Sequence, residues 1–393
     1  MRDEFVRHII SRAGSSSTLQ SPALRRFQRF IENNPRIFMH FAQMFDEAPH
    51  EQSSRTDPGR GGRINDYKQM LAVLDYIVRH GPGWSSGAAT VGLVGLPMFA
   101  VMDYVLSTAS YGVQSPASTH VLGFDHEGWF GPEAIKALTD CANIPRKSNF
   151  KFDEFYVCDS SAMHYGFKSW DDFFTRKIHE DTRPVASPRD DDVIVHACES
   201  SAYNIESNVK LRDNFFIKGQ PYSLRDMLGN DPLAHYFARG TVYQAFLSAL
   251  SYHRWHAPVS GVVRRAFVQD GTYFSLPLWL GPAKEGETAD RMVPSQGYLS
   301  AMAARGIIIV EADNKDIGLV AFVAVGMSEV STCEITVREG QWIEKGTGIG
   351  MFHFGGSSYC LLFRHGLQLD GLPDVAKKEN CAVRDRFATV RQP

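Results

Sequence analysis

The strongest constraint on the fold is a change of texture near residue 150. Before it, apolar residues recur three and four apart in residues 23–33 (ALRRFQRFIEN), 35–45 (PRIFMHFAQMF) and 64–79 (INDYKQMLAVLDYIVR), the spacing that buries one helical stripe. Pro35 suits a first helical turn, and the polar, glycine-rich residues 51–63 read as an exposed loop. After it, an aromatic, helix-like segment (165–177, YGFKSWDDFFTRK) and a turn at Arg183-Pro184-Val185 lead into strand-length runs. These runs are residues 193–197, 214–228, 261–270, 306–310 and 318–325, rich in β-branched and aromatic side chains, while residues 242–250 read as helix-like. Two periodicities in two halves predict an α+β protein, with a helical N-terminal domain over 1–150 and a β-rich domain over 151–393. A length of 393 residues accommodates two cores.

Composition narrows the partners. Hydrophobic residues make up 44%, charged residues 22%, and the formal charge is -3, which argues against a nucleic-acid-binding face. The six cysteines lack the spacing of a zinc site or a disulfide framework, as in a protein of the reducing cytosol, so a cytoplasmic location is expected. The first residues open with charges and lack the pattern of a secretory signal. Residues 92–109 are the most apolar window, but Pro97 and Asp103 interrupt it. A buried helix is expected there, and no integral membrane segment.

Three short stretches carry chemistry. In MFHFGGSS (351–358), two flexible glycines run into a hydroxyl nucleophile, as in a backbone bent so that a serine can attack its own preceding carbonyl. Glycine pairs before serine also close ordinary turns. The turn-like residues 339–350 deliver the chain into this stretch as a strand. In SYHRWHAP (251–258), His253 and His256 are candidate general bases or buried core histidines, and an HxxH metal site lacks a third ligand. Glu199, in HACESSAY, follows an apolar strand and can cap a turn or orient an imidazole. No phosphate loop or dinucleotide fingerprint is present.

Taken in order, YGFKSWDDFFTRK, RPV, KGQPYSLRDML (218–228), YHRWHAP (252–258) and FGGSS (354–358) resemble the signatures of the phosphatidylserine decarboxylase family of pyruvoyl enzymes. The resemblance covers about residues 150–393. It is fuller to a soluble branch acting on aromatic L-amino acids, typified by fungal L-tryptophan decarboxylases, which shares ACES, YHRWHAPV, EADNK and GMFHFGGSS and a similar helical N-terminal region. Residues 111–122 form a shorter middle region than in that branch.

The resemblance implies that Ser357 attacks the carbonyl of Gly356. The resulting ester eliminates to a dehydroalanine, and hydrolysis yields a pyruvoyl group with loss of ammonia. Chains of residues 1–356 and 357–393 would remain associated. By the same resemblance His256 takes the Ser357 proton, His253 serves the decarboxylation, and Glu199 stands where the family usually has an aspartate. The pyruvoyl carbonyl would condense with the substrate amine and accept electrons as carbon dioxide leaves, in place of pyridoxal phosphate. The implied activity is decarboxylation of a free aromatic amino acid, L-tryptophan foremost. Decarboxylation of phosphatidylserine at a membrane surface and a non-catalytic interaction module are the alternatives.

Overall fold

The computed structural model describes residues 10–13, 18–47, 64, 66–77, 130–143, 149–213, 222–248, 250–272, 295–327, 332–353 and 357–391. These residues belong to two compact units, one containing residues 10–77 and the other residues 130–391. The expectations for residues 51–63, 92–109, 111–122 and 214–221, and for Gly355 and Gly356, fall outside the described residues.

In the first unit the helical spacing produces three helices: α1 (Pro22–Asn33), α2 (Pro35–Glu47) and α3 (Tyr67–Ile77). Pro22 takes an early position in α1, where its missing N–H costs nothing. Leu24, Ile31, Phe41, Phe45, Met70, Leu71, Val73 and Ile77 share one core. The buried Asp75 accepts the backbone N–H groups of Ser21 at 2.7 Å and Gln20 at 3.1 Å, placing a carboxylate where the α1 dipole favours it.

The second unit is built on an antiparallel sheet of eight strands. Their order is β13 (Asn380–Cys381), β2 (Ser200–Ser207), β3 (Thr241–Leu247), β11 (Ser357–Phe363), β7 (Leu319–Val325), β6 (Arg305–Ala312), β5 (Gly261–Gln269) and β9 (Trp342–Ile343). A second sheet runs β4 (Arg254–His256), β10 (Gly348–His353), β8 (Thr332–Ile335), and a third runs β1 (Val193–Val195), β14 (Arg386–Val390), β12 (Leu369–Asp370). Short helices accompany them: α4 (Pro132–Ala142), α5 (Phe152–Phe155), α6 (Trp170–Phe174), α7 (Leu224–Met227) and α8 (Gln296–Met302). The architecture is α+β, as the two periodicities predict.

Alternation assigns the two faces of the large sheet. Val242, Cys360, Leu362, Val323, Ile307 and Ile309 pack with Leu224 and Met227 of α7 and Ala301 of α8. The opposite face is aromatic: Tyr359 packs on Tyr243 and Phe322, and Trp255 of β4 joins Phe322 to Phe352 of β10, with centroids 5.4 and 4.8 Å away. Gly350 permits this approach, because a Cβ there would lie 2.4 Å from the Trp255 ring.

Three local expectations change. Residues 242–250 read as helix-like, yet Thr241–Leu247 form a strand buried on both faces, where a continuous apolar run carries no period of two. In the expected strand over 214–228, residues 224–227 are a helical turn, with the Ser223 hydroxyl donating to the Asp226 carboxylate. Over residues 165–177 the α-helix is confined to α6, and the 3-10 turn before it, Met163–Gly166, is broken by positive φ angles of 53° at His164 and 55° at Tyr165.

Candidate active site

Ser357 is the first residue of β11, a strand paired on both sides. Its hydroxyl is fully buried and has no hydrogen-bond partner among the described residues. Ser358 points to the other face and is fully engaged. Its Oγ donates to Oε1 of Gln296 at 3.0 Å and accepts from Nε2 of Gln244 at 3.1 Å. Gln244 in turn accepts the Tyr222 hydroxyl at 2.6 Å. Of the two serines in the motif, Ser357 therefore has the uncommitted oxygen, an uncommon state for a buried hydroxyl.

His253 immediately precedes β4, and its carbonyl accepts the backbone N–H of Phe352 at 3.0 Å, tying it to the strand that leads toward the glycine pair. Its Nδ1 lies 2.9 Å from the carbonyl of Ser251. A carbonyl can only accept, so the proton resides on Nδ1 and Nε2 carries the lone pair. That Nε2 is buried without a partner among the described residues. Phe174 stacks on the ring at 4.1 Å. Burial, and then the charge of Arg176, push the imidazole down to about 3, so it is neutral at physiological pH.

His256 ends β4 with both ring nitrogens occupied. Nδ1 donates to the carbonyl of Gly346 at 2.9 Å, and Nε2 accepts from the Tyr252 hydroxyl at 3.0 Å. Gly346 presents this carbonyl from a φ of 83°, a conformation that favours glycine. Arg384 Nε lies 3.2 Å from Nδ1 and 3.0 Å from the Gly346 oxygen. With Nδ1 protonated, the carbonyl is its acceptor. Burial, followed by the Arg384 charge, lowers His256 to about 3.

Glu199 is buried just before β2. It binds Arg183 through two contacts of 2.7 and 3.1 Å, and accepts Nδ2 of Asn380 at 2.6 Å and the Val383 N–H at 2.9 Å. Neither histidine donates to it among the described residues. His256 nevertheless lies on the adjoining backbone, its N–H donating to the carbonyl of Ala197 at 2.8 Å. The structure thus brings the YHRWHAP segment beside both the strand entering MFHFGGSS and the ACES segment, while giving Glu199 a salt bridge with Arg183.

His353, inside MFHFGGSS, had no role in the sequence reading. Its Nδ1 meets Asp171 of α6 at 2.8 Å and its Nε2 meets Glu334 of β8 at 3.0 Å. Burial opposes the charged form, but Asp171 and then Glu334 outweigh it and raise the pKa. Gln244 and Gln296 were likewise missed. Polar side chains inside strand β3 and at the start of α8 were the available signal. Among the described residues no group of three histidine, cysteine or acidic side chains is placed to hold a metal ion, and no helix is long and apolar enough to cross a membrane.

A phosphatidylserine decarboxylase family model matches residues 170–388, and a second matches residues 21–113. The chain belongs to the phosphatidylserine decarboxylase family and is a carboxy-lyase. It is 34% identical to an L-tryptophan decarboxylase of Psilocybe cyanescens, over 99% of this chain and 92% of that one. It is 46% identical to decarboxylase iboD of Amanita muscaria, over 60% of this chain and 68% of that one. A phosphatidylserine decarboxylase proenzyme of Chlamydia trachomatis is 32% identical over 54% of this chain and 65% of its own length.

Proposed function

We propose that this protein decarboxylates a free aromatic L-amino acid, L-tryptophan foremost, using a pyruvoyl group made from its own Ser357. The observation that carries the proposal is the uncommitted, buried Ser357 hydroxyl at the start of β11. A proenzyme serine poised to attack the Gly356 carbonyl needs no competing acceptor. The similarity to L-tryptophan decarboxylases along nearly the whole chain supports the substrate class.

The residues fit a group built at Ser357. Strand pairing on both sides of β11 holds Ser358 and its successors in place after the chain is cut, so the two chains stay associated. His256 has the tautomer of a general base, with its lone pair on Nε2, and takes the Ser357 proton when the Tyr252 hydroxyl turns aside. Glu199 holds the ACES segment beside His256 through Arg183 and Asn380. The pyruvoyl carbonyl supplies the electron sink for the carbon–carbon bond that breaks. His253 acts on the substrate, taking up a proton at its open Nε2 and returning it at the α-carbon.

Decarboxylation of phosphatidylserine is the second reading, favoured by the two family-model matches. Carbon dioxide release from L-tryptophan and from phosphatidylserine vesicles, measured side by side, separates the two. Release from vesicles alone would overturn the amino acid reading.

A further inference from the structure

The short aromatic segment around α6 touches the site at several points. Ser169 caps the helix by accepting the Asp172 N–H at 3.1 Å, which fixes the turn. From this turn Asp171 reaches His353, Phe174 stacks on His253, and the Thr175 carbonyl accepts Nε of Arg254 at 2.7 Å. Arg176 follows directly. The residue is 2% exposed, and its guanidinium has no carboxylate partner among the described residues. Instead Nη2 donates to the carbonyls of Leu250 at 2.7 Å and Ser251 at 3.1 Å and to the Tyr156 hydroxyl at 3.2 Å, and Nη1 donates to the Phe173 carbonyl at 3.2 Å. The guanidinium carbon also lies 4.3 Å from the Tyr156 ring centre and 4.7 Å from that of Phe173.

Burying a cation without a counter-ion is costly, and carbonyls and ring faces offset only part of that cost. The placement has a specific consequence. The Ser251 carbonyl that Arg176 holds is the same oxygen that receives Nδ1–H of His253. With that oxygen pinned, the imidazole is confined to one tautomer and one ring plane, and its lone pair stays on Nε2.

We propose that Arg176 is a positioning residue for His253: its Nη2 fixes the Leu250 and Ser251 carbonyls and thereby holds the imidazole as an Nδ1–H tautomer with Nε2 open to the substrate. The positive charge nearby also favours the neutral ring. This inference rests on the proposed pyruvoyl decarboxylation, in which His253 handles the substrate's proton.

The test compares wild type, Arg176→Met and Arg176→Lys as full chains, with kcat and KM for L-tryptophan measured on the processed protein. The expected result for Arg176→Met is a kcat lower by about 10²-fold, the lower end of what a positioned acid–base group contributes, with KM within about twofold. Arg176→Lys keeps the charge but ends short of the Nη2 position that holds both carbonyls, and is expected to fall between. Nitrogen NMR of His253 in the unprocessed Ser357→Ala background reports the tautomer independently of turnover. A single Nδ1–H form that becomes a mixture on adding Arg176→Lys or Arg176→Met supports the assignment. An unchanged tautomer in the folded Arg176→Lys protein, or wild-type kcat in either variant, overturns it. A wild type that neither self-cleaves nor releases carbon dioxide defeats the parent reading instead, and the NMR comparison still decides the role of Arg176.

Discussion

Ser357 and Ser358 are consecutive residues of one strand with opposite hydroxyl environments: Ser358 exchanges hydrogen bonds with Gln244 and Gln296, and Ser357 has none among the described residues. The alternation of a strand separates them, sending one side chain toward the helix-covered core and the other toward the aromatic face. Ser358→Ala is therefore expected to self-cleave while losing about 1–3 kcal/mol of stability, because two buried glutamines lose a partner. Denaturant unfolding and a denaturing gel of the same sample check both halves.

The two histidines are expected to separate cleavage from turnover. His256→Gln should remain a single chain, and His253→Gln should cleave yet release no carbon dioxide. Gel analysis of each variant, followed by turnover on L-tryptophan, makes the comparison. Cleavage at the wild-type rate in His256→Gln would contradict the assignment.

Acid should destabilise the fold through these same rings. Each is lowered to about 3 in the folded protein, whereas an unfolded histidine titrates near 6.5. Below about pH 6.5 the unfolded chain binds more protons, so stability present above that value is lost as pH falls toward 3. At pH 5 each ring costs about 2 kcal/mol. Urea midpoints between pH 7 and pH 5 should fall steeply, and less so in a double His253→Gln, His256→Gln variant.

His353 should behave in the opposite sense. Its pKa is raised by Asp171 and Glu334, so its contribution is fully present below about pH 6.5 and is lost as pH rises through the raised value. The stability difference between wild type and His353→Asn is expected to be larger at pH 6 than at pH 9. Thermal melts at the two pH values test this, and a pH-independent difference would contradict it.

Glu199 and Arg183 form a buried pair, 1% and 5% exposed at the side chain. Arg183→Met leaves a buried carboxylate uncompensated and is expected to cost about 3–5 kcal/mol. Denaturant unfolding measures the loss. A cost under about 1 kcal/mol would place the pair among weak surface bridges instead.

Much of this architecture was legible in the residues. The helical spacing of residues 23–45 became α1 and α2, and the β-branched runs became β5, β6 and β7. The strand entering MFHFGGSS was legible because Gly340 and Gly346, both at positive φ, punctuate the chain before it. Strand β3 was not, since a strand buried on both faces shows no alternation. Nor were the partners of Glu199, His256 and Arg176. Arg183, Gly346 and Ser251 are brought to them by tertiary pairing across 16, 90 and 75 positions, which no local pattern records.

The central claim is that one peptide bond, Gly356 to Ser357, is cut by the serine that follows it. Intact mass spectrometry of wild type and Ser357→Ala tests it most directly. The account predicts a fragment of residues 357–393 whose first residue carries the pyruvoyl mass in the wild type, and one uncut chain of 393 residues in the variant. A wild-type protein found only as the uncut chain, or a variant that is cut at the same bond, would contradict it.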